Sequence, residues 1–92
     1  MEFEWDPPKN QECLELRKFD FDFATKIFKD KRIRLTLDER KDYGEKRIKA
    51  IGEIEEKLYC VIFTKREDNI RIISARREHT NSKDWRKYYG IS

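Results

Sequence analysis

Arginine, lysine, glutamate, tyrosine and a single histidine are the side chains of this 92-residue chain whose types and placing could do chemistry. No metal motif is visible: there is one His and no carboxylate pair with ligand spacing. Three scattered Gly cannot build a phosphate-cradling or dinucleotide-binding loop, so no cofactor is expected. A Cys60–His79 nucleophile pair is conceivable on paper, but Cys60 lies in an apolar run and reads as a buried, inert thiol. The remaining set suits RNA cleavage without a metal. The ribose 2′-OH is the nucleophile, so the protein need only position it, take its proton and neutralise the charge that builds on phosphorus. Arginine fits the last task because its planar fork bonds two phosphate oxygens at once. Arg76, Arg47 and Lys9 are candidates for phosphate contact, Glu45 for the base, and His79 or Tyr43 for the acid. Each also has a plain structural reading: Glu45 with Arg47 as a surface ion pair, Lys9 as a solvated helix residue, His79 as a loop residue. Arg66, Arg71 and Arg77 are further candidates for RNA contact. Trp5 could stack on a base, but core packing is the stronger reading of it.

The element that must position Arg76 is Asn69–Arg77. Its β-branched run reads as a strand, and apolar residues occupy both alternating sets, Ile70 with Ile72 and Ile73 with Ala75. Such a strand belongs inside a sheet, and its last residues place fixed positive charge on a stiff support. A strand that has simply reached solvent would look the same.

Before it, Phe3 and Trp5 alternate with glutamates as a short strand. Asp6-Pro7-Pro8 opens a helix to about Lys18 with a thin apolar stripe, which therefore lies on the surface. Asp20 starts a second helix ending at Lys29–Arg32, with Phe21, Ala24, Ile27 and Phe28 on one core-facing side. Ile33, Leu35 and Leu37 alternate as a half-buried strand, and 38–44 is a connection too charged to bury. Strands follow over 47–54 and 58–64, the latter joined by a loop to the Asn69 strand. Asn81 or Ser82 can cap a last helix whose Trp85, Tyr88 and Tyr89 form an aromatic face suited to packing on the sheet. The sum is a single α+β domain over residues 1–92. It has a mainly antiparallel sheet of four to five strands, two N-terminal helices and one C-terminal helix, with the helices gathered on one side.

Composition agrees with a small charged domain. Charged residues make up 45% of the chain against 37% hydrophobic, but six Phe, four Tyr and two Trp supply large areas for burial. A net charge of +3 permits a polyanionic partner without demanding one. Neither a membrane segment nor a leader is recognisable, and the two Cys have no disulfide-like arrangement, so a reducing cytoplasm is expected.

Several stretches together resemble the BrnT-type toxins. Phe3-Glu4-Trp5-Asp6-Pro7 with Lys9 matches that family's F-x-W-D-P-x-K opening. Phe21, Ala24, Ile27 and Phe28 match its F-x-x-A-x-x-V-F helix. Arg47 with Ile51-Gly52 matches R-x-x-x-I-G, Val61–Thr64 with Arg66 matches V-V-x-T-x-R, and Arg71–Arg76 matches R-I-I-S-A-R, over roughly residues 2–77 without a gap. The chain departs from the pattern at Cys13, where the family has Asn, and at Leu16-Arg17-Lys18, where it has Lys-His-Gly. After Arg76 the family reads K-A-T-x-x-E; here Glu78 stands at the Ala position and Ser82 at the Glu position.

The resemblance implies a RelE-like fold and a ribonuclease toxin of a bacterial type II toxin–antitoxin pair that inhibits translation. It also implies an antitoxin with a ribbon-helix-helix DNA-binding domain, DNA contact only through that complex, no membrane, and a homodimer or heterotetramer as the assembly. The firmest carry-over is to Arg76, Arg47 and Lys9. A second reading stays open: a catalytically degenerate module that still pairs with an antitoxin-like protein or RNA.

Overall fold

The computed structural model describes residues 2–40 and 44–92. In chain order the elements are β1 (Glu2–Trp5), α1 (Pro7–Arg17), α2 (Phe21–Ala24) continued by a 3₁₀ segment (Thr25–Lys29), β2 (Arg34–Leu37), β3 (Ile48–Ile54), β4 (Lys57–Arg66), β5 (Asn69–Arg77) and α3 (Lys83–Tyr89). The five strands form one sheet in the order β1-β5-β4-β3-β2. The meander β2 to β5 is antiparallel, as the short connections require, but β1 pairs parallel to β5. The sheet is therefore mixed. The chain enters at one edge and needs the whole α1–α2 crossover before it returns as β2 at the other, which is how a parallel pair is reached.

The second helix is a single α-turn. Asp20 caps it, its Oδ1 accepting from Phe23 N at 2.9 Å, and the backbone then tightens into the 3₁₀ segment. Phe21, Ala24 and Ile27 are nonetheless fully buried and Phe28 packs beside them, since both helical periods keep these positions on one side. Close approach of the 3₁₀ segment to β3 explains Gly52. A Cβ there would sit 2.8 Å from Ile27 Cγ1 and 3.1 Å from Asp30 Oδ2. Gly52→Ala should destabilise the fold by about 1–3 kcal/mol through overpacking. Thermal denaturation would show that as a melting temperature lower by roughly 4–8 °C per kcal/mol.

Two expectations about faces are overturned. The helices do not gather on one side: α1, α2 and the 3₁₀ segment cover one face, while α3 packs Trp85, Tyr88 and Tyr89 on Ile51, Leu58, Cys60 and Ile62 of the other. The strand β2 is not half-buried. It is exposed throughout, with Leu35 and Leu37 each 54% accessible, because no helix extends over this edge. The connection after it also begins inside: Asp38 is buried, its carboxylate accepting both arms of an Arg40 fork at 2.8 and 2.9 Å.

Asp30 fastens α3. Its Oδ2 accepts from Glu53 N at 2.8 Å, on the part of β3 that β2 leaves unpaired, and from the Tyr88 hydroxyl at 2.5 Å. Burial alone would raise the Asp30 carboxyl, but the Tyr88 hydroxyl and the backbone N–H groups of Glu53 and Arg32 outweigh it and hold it below its ordinary value. Burial and the bond to Glu53 push the Tyr89 phenol up to about 12, so it stays a donor.

Candidate active site

The open part of the α3-side face is where the basic residues collect. Directly opposed residues of neighbouring strands share a face, so the pairings place them. Ile51, Cys60 and Arg76 form one row; Lys49, Ile62 and Ser74 the next; Thr64 and Arg71 one beyond, with Glu4 closing it from β1. Arg47 precedes β3 two residues before Lys49 and so shares this face, its carbonyl accepting from Asp38 N at 2.8 Å. Glu45 lies 3.8 Å from both Arg47 and Arg66. Arg47, Glu45 and Arg66 are thus brought together, with Arg71 on the same sheet face, while Arg76 shares that face two rows from Arg71.

A β-bulge decides this for Arg76. Ile62 pairs with Ser74 but Phe63 with Ile72, leaving Ile73 as the extra residue. Ile70 and Ile72 face the α1 side; strict alternation would have sent Arg76 there too. The bulge flips the remainder, so Ala75 and Arg77 face α1 while Ser74 and Arg76 face the open side. It also separates Ile73 from Ala75, which the sequence pattern had put on one face. Ile73 packs with the α3 cluster and Ala75 with the α1 cluster.

Arg76 keeps 44% of its side chain accessible and lines a cavity of about 290 Å³ with Lys49, Ser74, Ile62, Asp38 and Arg40. Its Nη1 donates to Glu78 Oε2 at 3.0 Å. The Glu78 side chain is 5% accessible and also accepts from Ser82 Oγ at 2.7 Å, and Ser82 in turn caps α3, its Oγ accepting from Trp85 N at 3.1 Å. Arg76 is therefore tethered on one side through Glu78 to the start of α3, with the rest of its fork open. Lys49 is held similarly, 2.8 Å from Asp84 of α3. Sequence reasoning did not single out Glu78 or Lys49, and neither carries a recognisable signal beyond its charge.

The other candidates lie elsewhere. Lys9 is exposed on α1 and lines a smaller cavity with Ile73 and Ser74 beside β5. Trp5 packs edge-to-face on Phe21, with ring centroids 6.2 Å apart, in the α1-side core. Arg77 and His79 line a cleft on the α1 side, whose wall Arg76 shares. Tyr43 lies outside the described residues. Cys60 is buried beneath α3, and burial pushes its thiol up to about 11 despite the nearby Arg76 guanidinium. It is a neutral thiol and is not in the cleft that His79 lines.

Residues 5–81 match the family model described as the BrnT ribonuclease toxin of type II toxin–antitoxin systems. The chain belongs to the BrnT family. No curated protein matches it. Membership in the BrnT family makes this a toxin fold of a toxin–antitoxin pair, with ribonuclease activity at the level of the family. Two departures from the BrnT pattern gain a location. Lys18, at the family's Gly position, is left-handed (φ 66°) and closes α1, its N–H donating to Leu14 O. Arg17, at the family's His position, donates from Nη1 to Ala75 O at 3.0 Å, beside Arg76. No helix among the described residues is long and apolar enough to cross a membrane.

Proposed function

We propose that this protein is a metal-independent endoribonuclease toxin of RelE-like fold that acts in the bacterial cytoplasm, inhibits translation and is neutralised by a cognate antitoxin. One observation carries the reading: Arg76, Arg47, Arg66 and Arg71 lie on one rigid sheet face, with Glu45 beside Arg47 and Arg66. The cleaved bond is the P–O5′ ester. Proton transfer falls to Glu45 as base or to His79 or Tyr43 as acid: the 2′-OH gives up its proton, the 2′-oxygen attacks phosphorus, and the 5′-oxygen leaves protonated, giving a 2′,3′-cyclic phosphate. Arg76 and Arg47 neutralise the phosphorane charge, and Lys9 contacts the phosphate from the α1 side. His79 lines a cleft together with Arg76 at the Leu58 end of β4, whereas Glu45 lies beside Arg66 at the other end, so Glu45 and His79 are alternative proton-transfer groups for a phosphate on Arg76 and not a pair acting on one bond. Arg66, Arg71 and Arg77 hold the flanking backbone, and Tyr43 or Trp5 a base.

The antitoxin on this reading carries a ribbon-helix-helix domain, brings the complex to DNA and assembles with the toxin as a heterotetramer, or masks a toxin homodimer. Purified, antitoxin-free protein should cut RNA in EDTA and leave 2′,3′-cyclic phosphate ends, read by mass spectrometry of the fragments. Cleavage that vanishes in EDTA and returns with magnesium would sink the metal-independent mechanism. Arg17 at the family's His position favours a second reading, a degenerate module that pairs with an antitoxin-like protein or RNA. That reading predicts a stable complex and intact RNA.

A further inference from the structure

We propose that the cleft between the C-terminal end of α1 and the last residues of β5 is a subsite for single-stranded RNA, receiving the nucleotide next to the one whose phosphate Arg76 holds. The inference rests on the ribonuclease reading for its biological purpose, and the cleft shares Arg76 with the cavity on the sheet face. The cleft measures about 680 Å³, within the range that takes a nucleotide-sized ligand. Its walls divide into an aromatic and a cationic part.

Phe19, Phe23 and Tyr59 make the aromatic part. Phe19 and Phe23 each meet Tyr59 edge-on, with centroids 5.2 and 5.4 Å apart, and are 5.7 Å from each other. Tyr59 is buried; Phe19 and Phe23 are half-buried and line the cleft. Rings locked by one another form a platform that loses little entropy when a base stacks on it.

Arg17 and Arg77 make the cationic part, and both are exposed. Arg17 is fixed by its Nη1 on Ala75 O and by a bond to the buried Cys13 sulfur, which aims the guanidinium and leaves its remaining N–H groups for phosphate. Arg77 meets no carboxylate among the described residues. The acid in the wall, Asp20, has its Oδ1 taken by Phe23 N. Arg76 belongs both to this cleft and to the 290 Å³ cavity on the sheet face. A strand whose phosphate sits on Arg76 therefore has the cleft as its next stop. A base on rings beside a phosphate on arginine is the usual manner of holding single strands.

The test is fluorescence anisotropy of the whole chain with a 2′-fluoro RNA octamer, which lacks the attacking hydroxyl and cannot be cut. Arg17→Ala with Arg77→Ala should weaken binding about tenfold or more, and Phe19→Leu by several-fold, with melting temperatures checked for each. Arg77→Glu, an exposed change, serves if Phe19→Leu does not fold. Wild-type binding that these substitutions leave unchanged, or no binding at all, overturns the subsite. Unchanged binding with RNA still cut by the wild type would remove the subsite and leave the ribonuclease. Arg17- and Arg77-dependent binding with all-ribose RNA left intact would keep the subsite and remove the ribonuclease. A peptide of the antitoxin competing for the cleft, with no RNA bound there, would reassign it to protein.

Discussion

Replacing Arg76 with alanine is expected to lower RNA cleavage by roughly two to three orders of magnitude, the usual loss when one donor aimed at developing transition-state charge is removed. The substitution should leave the fold standing. Arg76 ends in an open cavity with 44% of its side chain accessible, so truncation creates no void in the core. It does take from the buried Glu78 carboxylate its ion-pair partner while the Ser82 hydroxyl stays bonded, a change worth about 1–3 kcal/mol and a melting temperature lower by several degrees or more. Lysine at this position keeps the charge but loses the fork, so Arg76→Lys should recover only part of the rate. Single-turnover cleavage beside circular dichroism separates the two effects. A variant that cuts RNA at the wild-type rate would remove Arg76 from the mechanism.

Much of the fold was legible because local chemistry and long-range packing agree. Asp20 has the side chain to cap a helix and does so; Ser82 likewise. The Phe21–Ala24–Ile27 stripe is core because periods of 3.6 and 3.0 both keep it on one side. What failed depended on the partner across the sheet. The β2 pattern alternates as a half-buried strand should, yet Leu35 and Leu37 lie exposed where nothing covers the edge. No local signal reports how far a neighbouring helix reaches. Nor does any local signal distinguish a helix packed on one side of the sheet from one packed on the other, and α3 took the side opposite the other helices.

The site was legible as residue types and only partly as geometry. Arg76 stood out as a charge at the end of a stiff strand. Which face it takes, however, is set by one unpaired residue, Ile73, in a run of aliphatics that gives no hint of a bulge. Ile70-Arg71-Ile72-Ile73-Ser74-Ala75 reads as a strand buried on both faces, and the bulge produces the same string by changing phase. Glu78 was missed for a related reason. A residue matched by position is judged by what stands in its column, whereas a carboxylate acts where its oxygens arrive.

That distinction leads to the second large expected effect. The family pattern puts Ala at 78 and Glu at 82; this chain has Glu78 and Ser82, whose side chains meet at 2.7 Å. The carboxylate absent at 82 thus reaches the same neighbourhood from four residues earlier and grips Arg76 at 3.0 Å. Glu78→Ala should release the guanidinium from its fixed direction. Cleavage should fall about ten- to a hundredfold, as when a reacting group is misplaced by an ångström. Glu78 touches no substrate on this account, so the loss should appear in the rate at saturating RNA more than in RNA affinity. The decisive variant exchanges the pair: Glu78→Ala with Ser82→Glu. It gives up the Ser82 cap on α3, costing about 1 kcal/mol. It should nonetheless regain most of the rate, because a carboxylate again faces Arg76. Single-turnover rates of the single and exchanged variants, with melting curves as controls, decide it. If Glu78→Ala alone cleaves normally, or the folded exchange variant recovers nothing, then Glu78 is a structural acid and Arg76 is oriented by something else.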